Sequence, residues 1–431
     1  MEIEFLGGAR EVGRSAILVN GSLLLDYGIG PGNPPRYPVG SVDPDAVVIS
    51  HGHLDHAGAV PMLLSGSDRP SIHWTPPTEA FARMLARDTL SIYGGRYDCP
   101  FTEEAVKSIL PASITHGYHD PFEAAGHRIT LHPAGHIPGS AMIEVDDGET
   151  TLLYTADYHP GEQRLVAHMP TGPAADADVV ITESTYADRS RPDRTEIETS
   201  FVRRVEDTLW NGGTVVAPAF AIGRTQELMH ICADAELPCY VDGLGIEVTR
   251  LLQRHPRYIR NADALDRAAR HARIVSGRDG QRRRIADTAS VIITTAGMLT
   301  GGPAMTYIPA VADDPTNLIA LTGFQVPDTP GRELLDTGRV PINDRIIPVS
   351  AAVEAFDFSA HADRDGLLAL LEDYRGAQIL VVHGDMCDRF AESLCANGFT
   401  ADAPELGDAV TVGPAGDDGV SREPHPTGGG G

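Results

Sequence analysis

An α/β chain in two parts is expected: a two-sheet sandwich flanked by helices, interrupted by a separate inserted α/β domain. Three observations predict it. Short apolar strands alternate with Gly-, Pro- and Asp-rich turns from Met1 to about Asp188; helix and strand patterns alternate in the manner of a parallel sheet from Glu196 to about Arg345; and a buried strand at 378–382 resumes the first pattern.

In the first part, strands are expected at 3–6, 16–19, 22–25, 47–50, 71–74, 128–131, 141–145, 151–154 and 179–182. Helices belong at 78–91 and 102–110, the second opened by Thr102 with Glu103 and Glu104 in its first turn. The polar stretch 187–193 marks the crossing into the second part. There, helices at 196–210, 224–235 and 245–254 alternate with strands at 214–217, 238–241, 272–275, 291–294 and 318–321. A strand at 345–349, a helix at 363–374, the strand at 378–382 and a closing helix at 385–396 return to the sandwich. The expected division is therefore 1–190 and 346–412 for the sandwich, 191–345 for the insert, and 413–431 for a Gly-rich disordered tail.

The stretch that carries chemistry is Ser50-His51-Gly52-His53-Leu54-Asp55-His56-Ala57-Gly58, directly after the apolar run 46–49. A strand that stops at Ser50 and a tight loop through Gly52 would gather four polar side chains around one point. Alternate residues of an extended segment share a side, so His51 and His53 can reach one metal. Asp55 and His56 turn away from that pair and suit a second ion, as in hydrolases whose two metals sit roughly 3.5–4 Å apart. Further polar residues stand beside expected strands downstream and upstream: Asp26 after 22–25, His136 within 133–140, Asp157 after 152–156, Glu183 in Thr182-Glu183-Ser184-Thr185-Tyr186, and His383 after 378–382.

The spacing of the His-rich stretch, followed in order by His136 and Asp157, resembles the signature of the metallo-β-lactamase superfamily. The insert and its flanks resemble the β-CASP branch, the nucleases acting on RNA and DNA: Glu183, His361 and His383 match its three extra motifs, and 218–227, 296–303 and 323–332 are similar to its nucleic-acid-facing loops. The likeness spans nearly the whole chain and is strongest to archaeal relatives, without KH domains, of the endonuclease subunit of the cleavage-and-polyadenylation specificity factor. It implies an αββα metallo-β-lactamase sandwich with an inserted β-CASP domain. It also implies two zinc ions, one held by His51, His53 and His136, the other by Asp55, His56 and His383, with Asp157 bridging. Asp26 would orient a ligating histidine, and His361, oriented by Glu183, would be the general acid.

What the resemblance implies in function is cleavage of single-stranded RNA by a metal-activated hydroxide, giving 5′-phosphate and 3′-hydroxyl ends. His at the third motif favours RNA over DNA. An endonuclease of mRNA 3′-end processing or transcription termination is the first reading, and a 5′-to-3′ exoribonuclease of RNase J type the second. A small-molecule metallohydrolase would have no use for the insert, and a non-catalytic subunit would have lost ligands. For RNA contacts the expectation falls on Arg224, Arg332, Gly301 and Gly302.

Composition sets the surroundings. The 431 residues carry 60 acidic against 34 basic side chains, a net charge of −26, with Lys107 the single lysine. A surface so acidic ordinarily argues against a nucleic-acid partner. The missing lysines point instead to an extreme halophile, in whose molar salt the Debye length shrinks to about 3 Å. Five cysteines without a C-x-x-C pair suggest neither disulfides nor a thiolate zinc site. No apolar run approaches a membrane span, and the chain is read as cytoplasmic, with no membrane partner and with a homodimer or an RNA-processing or transcription complex left open.

Overall fold

The computed structural model describes residues 1–32, 34–94, 99–169, 172–277, 280–414 and 421–423. The chain forms two compact units: Met1–Glu162 with His168–Ser190 and Ala360–Gly431, and Gln163–Ala167 with Arg191–Ser359.

The first unit is an αββα sandwich. One sheet orders Ser421–Glu423, Ala409–Thr411, Glu2–Gly7, Ala16–Val19, Leu23–Leu25, Ala46–Val48, Ser71–Trp74 and Ser113–Thr115. The other orders Thr400–Asp402, Gln378–Val381, Val179–Thr182, Thr151–Tyr154, Ala141–Asp146, His127–Pro133 and Phe122–Ala124. Strand side chains alternate between two cores, as a period of two requires. Ile3, Phe5, Leu152, Tyr154, Val179 and Ile181 fill the space between the sheets. Leu153 and Val180 point outward onto the helices Arg364–Leu371 and Cys387–Ala396. Leu24 and Val47 pack on the opposite side, against Phe101, Ala105 and Ile109 of the segment around Glu103–Ala112.

Both sheets are mixed, and their parallel portions position the site. Leu23–Leu25 runs parallel to Ala46–Val48, and Val179–Thr182 runs parallel to both Thr151–Tyr154 and Gln378–Val381. Loops at the carboxyl ends of such strands carry side chains that no ladder constrains.

The second unit is built on a six-stranded parallel sheet in the order Arg273–Ile274, Cys239–Asp242, Val291–Thr294, Val215–Pro218, Leu318–Leu321, Ala352–Ala355. Phe201, Val205, Leu228, Ile231 and Ala268 cover one face of it. Ile285, Tyr307 and Ile308 cover the other.

The structure departs from three expectations. The strand at 345–349, assigned to the sandwich, is Arg345–Pro348 and pairs only with Arg339–Ile342 in a two-stranded sheet of the second unit. Asn343 and Asp344 join them with φ of 49° and 59°, the left-handed turn that fits a tight hairpin. The insert then continues through Ala352–Ala355, so it ends at Ser359 instead of 345. The expected disordered tail, 413–431, falls largely outside the described residues, but Ser421–Glu423 pairs antiparallel with Ala409–Thr411. Helices at Ala262–His271, Gln281–Ala286, Ala304–Val311 and Pro330–Thr337 had no counterpart in the sequence reading. Each is ten residues or shorter, too short for the 3.6-residue period to stand out.

Candidate metal centre

Three of the strands that lead into the site end in a left-handed residue. Asp26, Ala156 and His383 adopt φ of 58°, 46° and 49°, a left-handed backbone uncommon outside glycine that turns the chain just beyond its last ladder pair. After Ala46–Val48 the chain runs through Ser50 to His51 and His53, and the short helix Leu54–Ala57 presents Asp55 and His56. Gly28 makes room for that helix, because a Cβ there would lie 1.8 Å from the Asp55 carbonyl oxygen.

These loops bring together two four-donor groups: His51, His53, His136 and Asp157, and Asp55, His56, His383 and Asp157, the donor atoms of each group lying within 4.8 Å of one another. Asp157 belongs to both. Its Oδ2 is 3.6 Å from His51 Nε2 and 3.8 Å from His136 Nε2, while its Oδ1 is 3.4 Å from His56 Nε2. His53 Nδ1 is 3.2 Å from His51 Nε2 and 3.1 Å from His136 Nε2. His383 Nε2 sits 3.5 Å from Asp55 Oδ2.

Outer contacts fix the rings. His56 Nδ1 donates to Asp26 Oδ2 at 2.6 Å, and that carboxylate also accepts from the Ser50 amide, the Ser50 hydroxyl and the Tyr154 hydroxyl. Asp26 is thus saturated and fully buried, which leaves His56 Nε2 aimed at Asp157. His136 Nδ1 donates to the Ala360 carbonyl at 2.8 Å. Thr185 Oγ1 lies 3.1 Å from His383 Nδ1 and donates to the His383 carbonyl. Ser50, Thr185 and Ala360 were not singled out from the sequence, and a backbone carbonyl such as that of Ala360 leaves no sequence signal at all.

A third group adjoins the first two. Glu183, fully buried, accepts from the Tyr158 amide through one oxygen and from His361 Nδ1 at 2.8 Å through the other. His361 Nε2 then points inward, 3.9 Å from Asp157 Oδ2. Asp363 caps the helix Arg364–Leu371 by accepting from the Gly366 amide, which anchors the loop that carries His361.

The donor set fits divalent metal. Buried polar atoms are normally paired. Here His53 Nε2, Asp157 Oδ1 and His383 Nε2 are buried and make no hydrogen bond. Burial, reinforced by neighbouring imidazoles, holds His51 and His136 well below the usual histidine range and brings His53 down to about 4, so these three rings are neutral with a lone pair to give. Asp157 works the other way: burial pushes its carboxyl up, but His383, His56 and His361 outweigh that and hold it well below the usual range. His56 is raised because Asp157 and Asp26 overcome its burial. Imidazole and carboxylate donors without thiolate are the pattern of catalytic metal sites.

Residues 9–199 match the metallo-beta-lactamase superfamily, 225–334 the Beta-Casp domain, and 346–404 the Zn-dependent metallo-hydrolase RNA specificity domain. The protein named "Probable RNase MJ4" of Methanocaldococcus jannaschii is 32% identical over 96% of this chain and 100% of its own length. This chain belongs to the β-CASP branch of the metallo-β-lactamase superfamily. The protein named "RNase aCSPSF2" of Saccharolobus solfataricus is 33% identical over 89% of this chain and 79% of its own length. "Transcription termination factor FttA" of Methanothermobacter thermautotrophicus is 31% identical over 88% of this chain, which spans 66% of that protein. A crystal structure of a protein of unknown function from Enterococcus faecalis shares the fold, with a TM-score of 0.60 at 13% identity over 95% of this chain and 99% of that one.

The β-CASP unit treats the expected RNA contacts unequally. Arg224 is 4% exposed and hydrogen bonds to Gln163, and its charge helps to hold the buried Glu227 ionised. Within this unit it packs beside Gln163, largely withdrawn from the surface. Arg332 is exposed and pairs with Asp336 at 2.8 Å. Gly302 has φ of 69°, and a Cβ there would lie 2.6 Å from the Thr295 carbonyl oxygen, which accounts for that glycine through its own loop. Gly301 has open space around it. Among the described residues, no helix is long and apolar enough to cross a membrane.

Proposed function

We propose that this β-CASP protein is a zinc-dependent ribonuclease that cleaves single-stranded RNA hydrolytically, leaving 5′-phosphate and 3′-hydroxyl ends, as an endonuclease of mRNA 3′-end processing or transcription termination. The observation that carries this reading is the pair of four-donor groups joined through Asp157, with His361 held beside them by Glu183. The relatives named as ribonucleases and the match to an RNA specificity domain support RNA as the substrate.

His51, His53 and His136 would hold one zinc, Asp55, His56 and His383 the other, and Asp157 both. When bound, such a pair lowers the pKa of water towards neutrality and offsets charge on the scissile phosphate. The chain's own residues supply the rest. Asp26 keeps the His56 Nδ1 proton, so Nε2 faces the centre. Glu183 fixes His361 through Nδ1, and in the imidazolium form the opposite Nε2–H is placed to protonate the departing 3′-oxygen. Exposed Arg332 remains a candidate for the RNA backbone.

The test is incubation of the purified protein, in high salt with zinc, with single-stranded RNA labelled at either end and with circular RNA. Cutting of the circle is expected, with matched DNA cut poorly. Release of nucleotides from 5′ ends with an intact circle would replace the endonuclease by an exonuclease. Turnover of thioesters and none of RNA would overturn the reading.

A further inference from the structure

Between Arg254 and Arg284 the chain holds ten arginines and three aspartates, in a protein of 34 basic and 60 acidic residues. The fold explains what the cluster makes. Arg273–Ile274 is the outermost strand of the β-CASP sheet, beside Cys239–Asp242. The helix before it, Ala262–His271, buries Leu265 and Ala268 and packs on the face covered by Leu228 and Ile231. The helix after it, Gln281–Ala286, buries Ile285 and Ala286 on the opposite face. Exposed Arg267 and Arg270 on one face, Arg273 on the edge, and Arg283 and Arg284 on the other face therefore form a band around one rim of the sheet.

What sets the stretch apart is its density of arginine against three aspartates, since exposed or half-exposed arginines elsewhere divide: Arg10, Arg204, Arg332 and Arg375 take acidic partners, whereas Arg87, Arg128, Arg203 and Arg389 make no ion pair among the described residues. Arg254, Arg257, Arg267, Arg270, Arg283 and Arg284 make no ion pair among the described residues, although each is exposed. Helix geometry offered Arg267 the i−4 partner Asp263, which it does not engage. Charge on an edge strand also discourages strand addition, but a band spread over both faces exceeds what edge blocking needs.

We propose that this arginine band binds the phosphate backbone of single-stranded RNA, as an anchoring surface on the β-CASP unit made of residues other than the metal ligands. The proposal rests on the ribonuclease reading for its choice of anion. Arginine suits the task in salt, because a bidentate guanidinium–phosphate contact keeps a directional hydrogen-bonded component when screening has removed long-range attraction. Arg273 adds an aromatic neighbour, its guanidinium lying over the Tyr240 ring at 5.6 Å.

The test measures binding of a long phosphorothioate-linked single-stranded RNA to the metal-loaded, full-length protein by anisotropy across a salt series. The variant carries Arg267→Glu, Arg270→Glu, Arg283→Glu and Arg284→Glu; a control carries Arg87→Glu, Arg128→Glu, Arg203→Glu and Arg389→Glu, equal in charge and exposed elsewhere. Circular dichroism and zinc content establish that both fold. The band variant is expected to lose at least about tenfold in affinity, with a salt slope shallower by about 3, from roughly 0.7 for each lost phosphate contact. An equal loss in the control would assign the effect to net charge and overturn the proposal. So would unchanged affinity and slope in the band variant while the wild type binds and cuts RNA, a result that would leave the ribonuclease reading standing and turn the band towards an acidic protein surface. Absence of RNA binding by the wild type would overturn both.

Discussion

In the proposed mechanism, holding metal and donating a proton fall to different residues, and single substitutions separate the two. His361→Ala is expected to retain both zinc ions and RNA binding yet to cut about 10²–10⁴-fold more slowly, the usual contribution of a general acid. On RNA with sulfur in place of the bridging 3′-oxygen, whose leaving group needs no proton, the variant should recover most of its rate. An equal defect on both substrates would reassign His361 to holding the phosphate. Asp55→Ala should lose about one zinc per chain, read by elemental analysis, since Asp55 faces His383 across only one of the two groups. Thr185→Val removes the hydroxyl beside His383 Nδ1 while keeping the side-chain shape. It should weaken one zinc by about 10–100-fold in a chelator competition, with Thr185→Ser close to wild type.

At the level of elements, the strand Ser71–Trp74 carries a pH-dependent feature unrelated to the metal. His73 is 4% exposed, shares a proton with His116 through a 2.9 Å contact, and stacks on Phe122. Burial, then the charge of His116, brings its pKa down to about 4. A lowered histidine pKa means that the unfolded chain takes up the proton first as pH falls. The stabilising contribution is therefore full above about pH 6.5 and is lost progressively towards about pH 4, with a slope of at most about 1.4 kcal/mol per pH unit. Urea unfolding of wild type and His73→Phe at several pH values checks this: the difference between the two should grow across that window. Parallel curves would show that His73 does not carry it.

For the whole molecule, the net charge of −26 predicts stability that depends on salt. The melting temperature should rise with KCl, chiefly from about 0.1 M to 1 M, where the Debye length falls from about 10 Å to about 3 Å. A melting temperature indifferent to KCl over that range would remove the halophile reading. Salt also bears on the substrate, because phosphate contacts weaken as it rises, leaving metal coordination and bidentate arginine contacts a larger share of the binding.

The sequence by itself determined the sandwich strands, the insert and the cluster of His51, His53, Asp55 and His56, because these rest on local signals: period-two burial, strand-ending turns and donors a few residues apart. It also placed His136, Asp157, Glu183 and His383 beside strands, and a motif resemblance alone added His361. Only the tertiary structure decided what lies next to what across long separations. Asp26 meets His56 and Tyr154, and Glu183 meets His361, through parallel strands and loops far apart in the chain. Arg224 looked available at a helix start until packing buried it against Gln163 and Glu227, since exposure is a property of the assembled layers and no local pattern encodes it. The reverse holds for the arginine band: its charges are plain in the sequence, but that they flank both faces of one sheet edge follows from crossover connections that put one helix before the edge strand and one after it, on opposite sides.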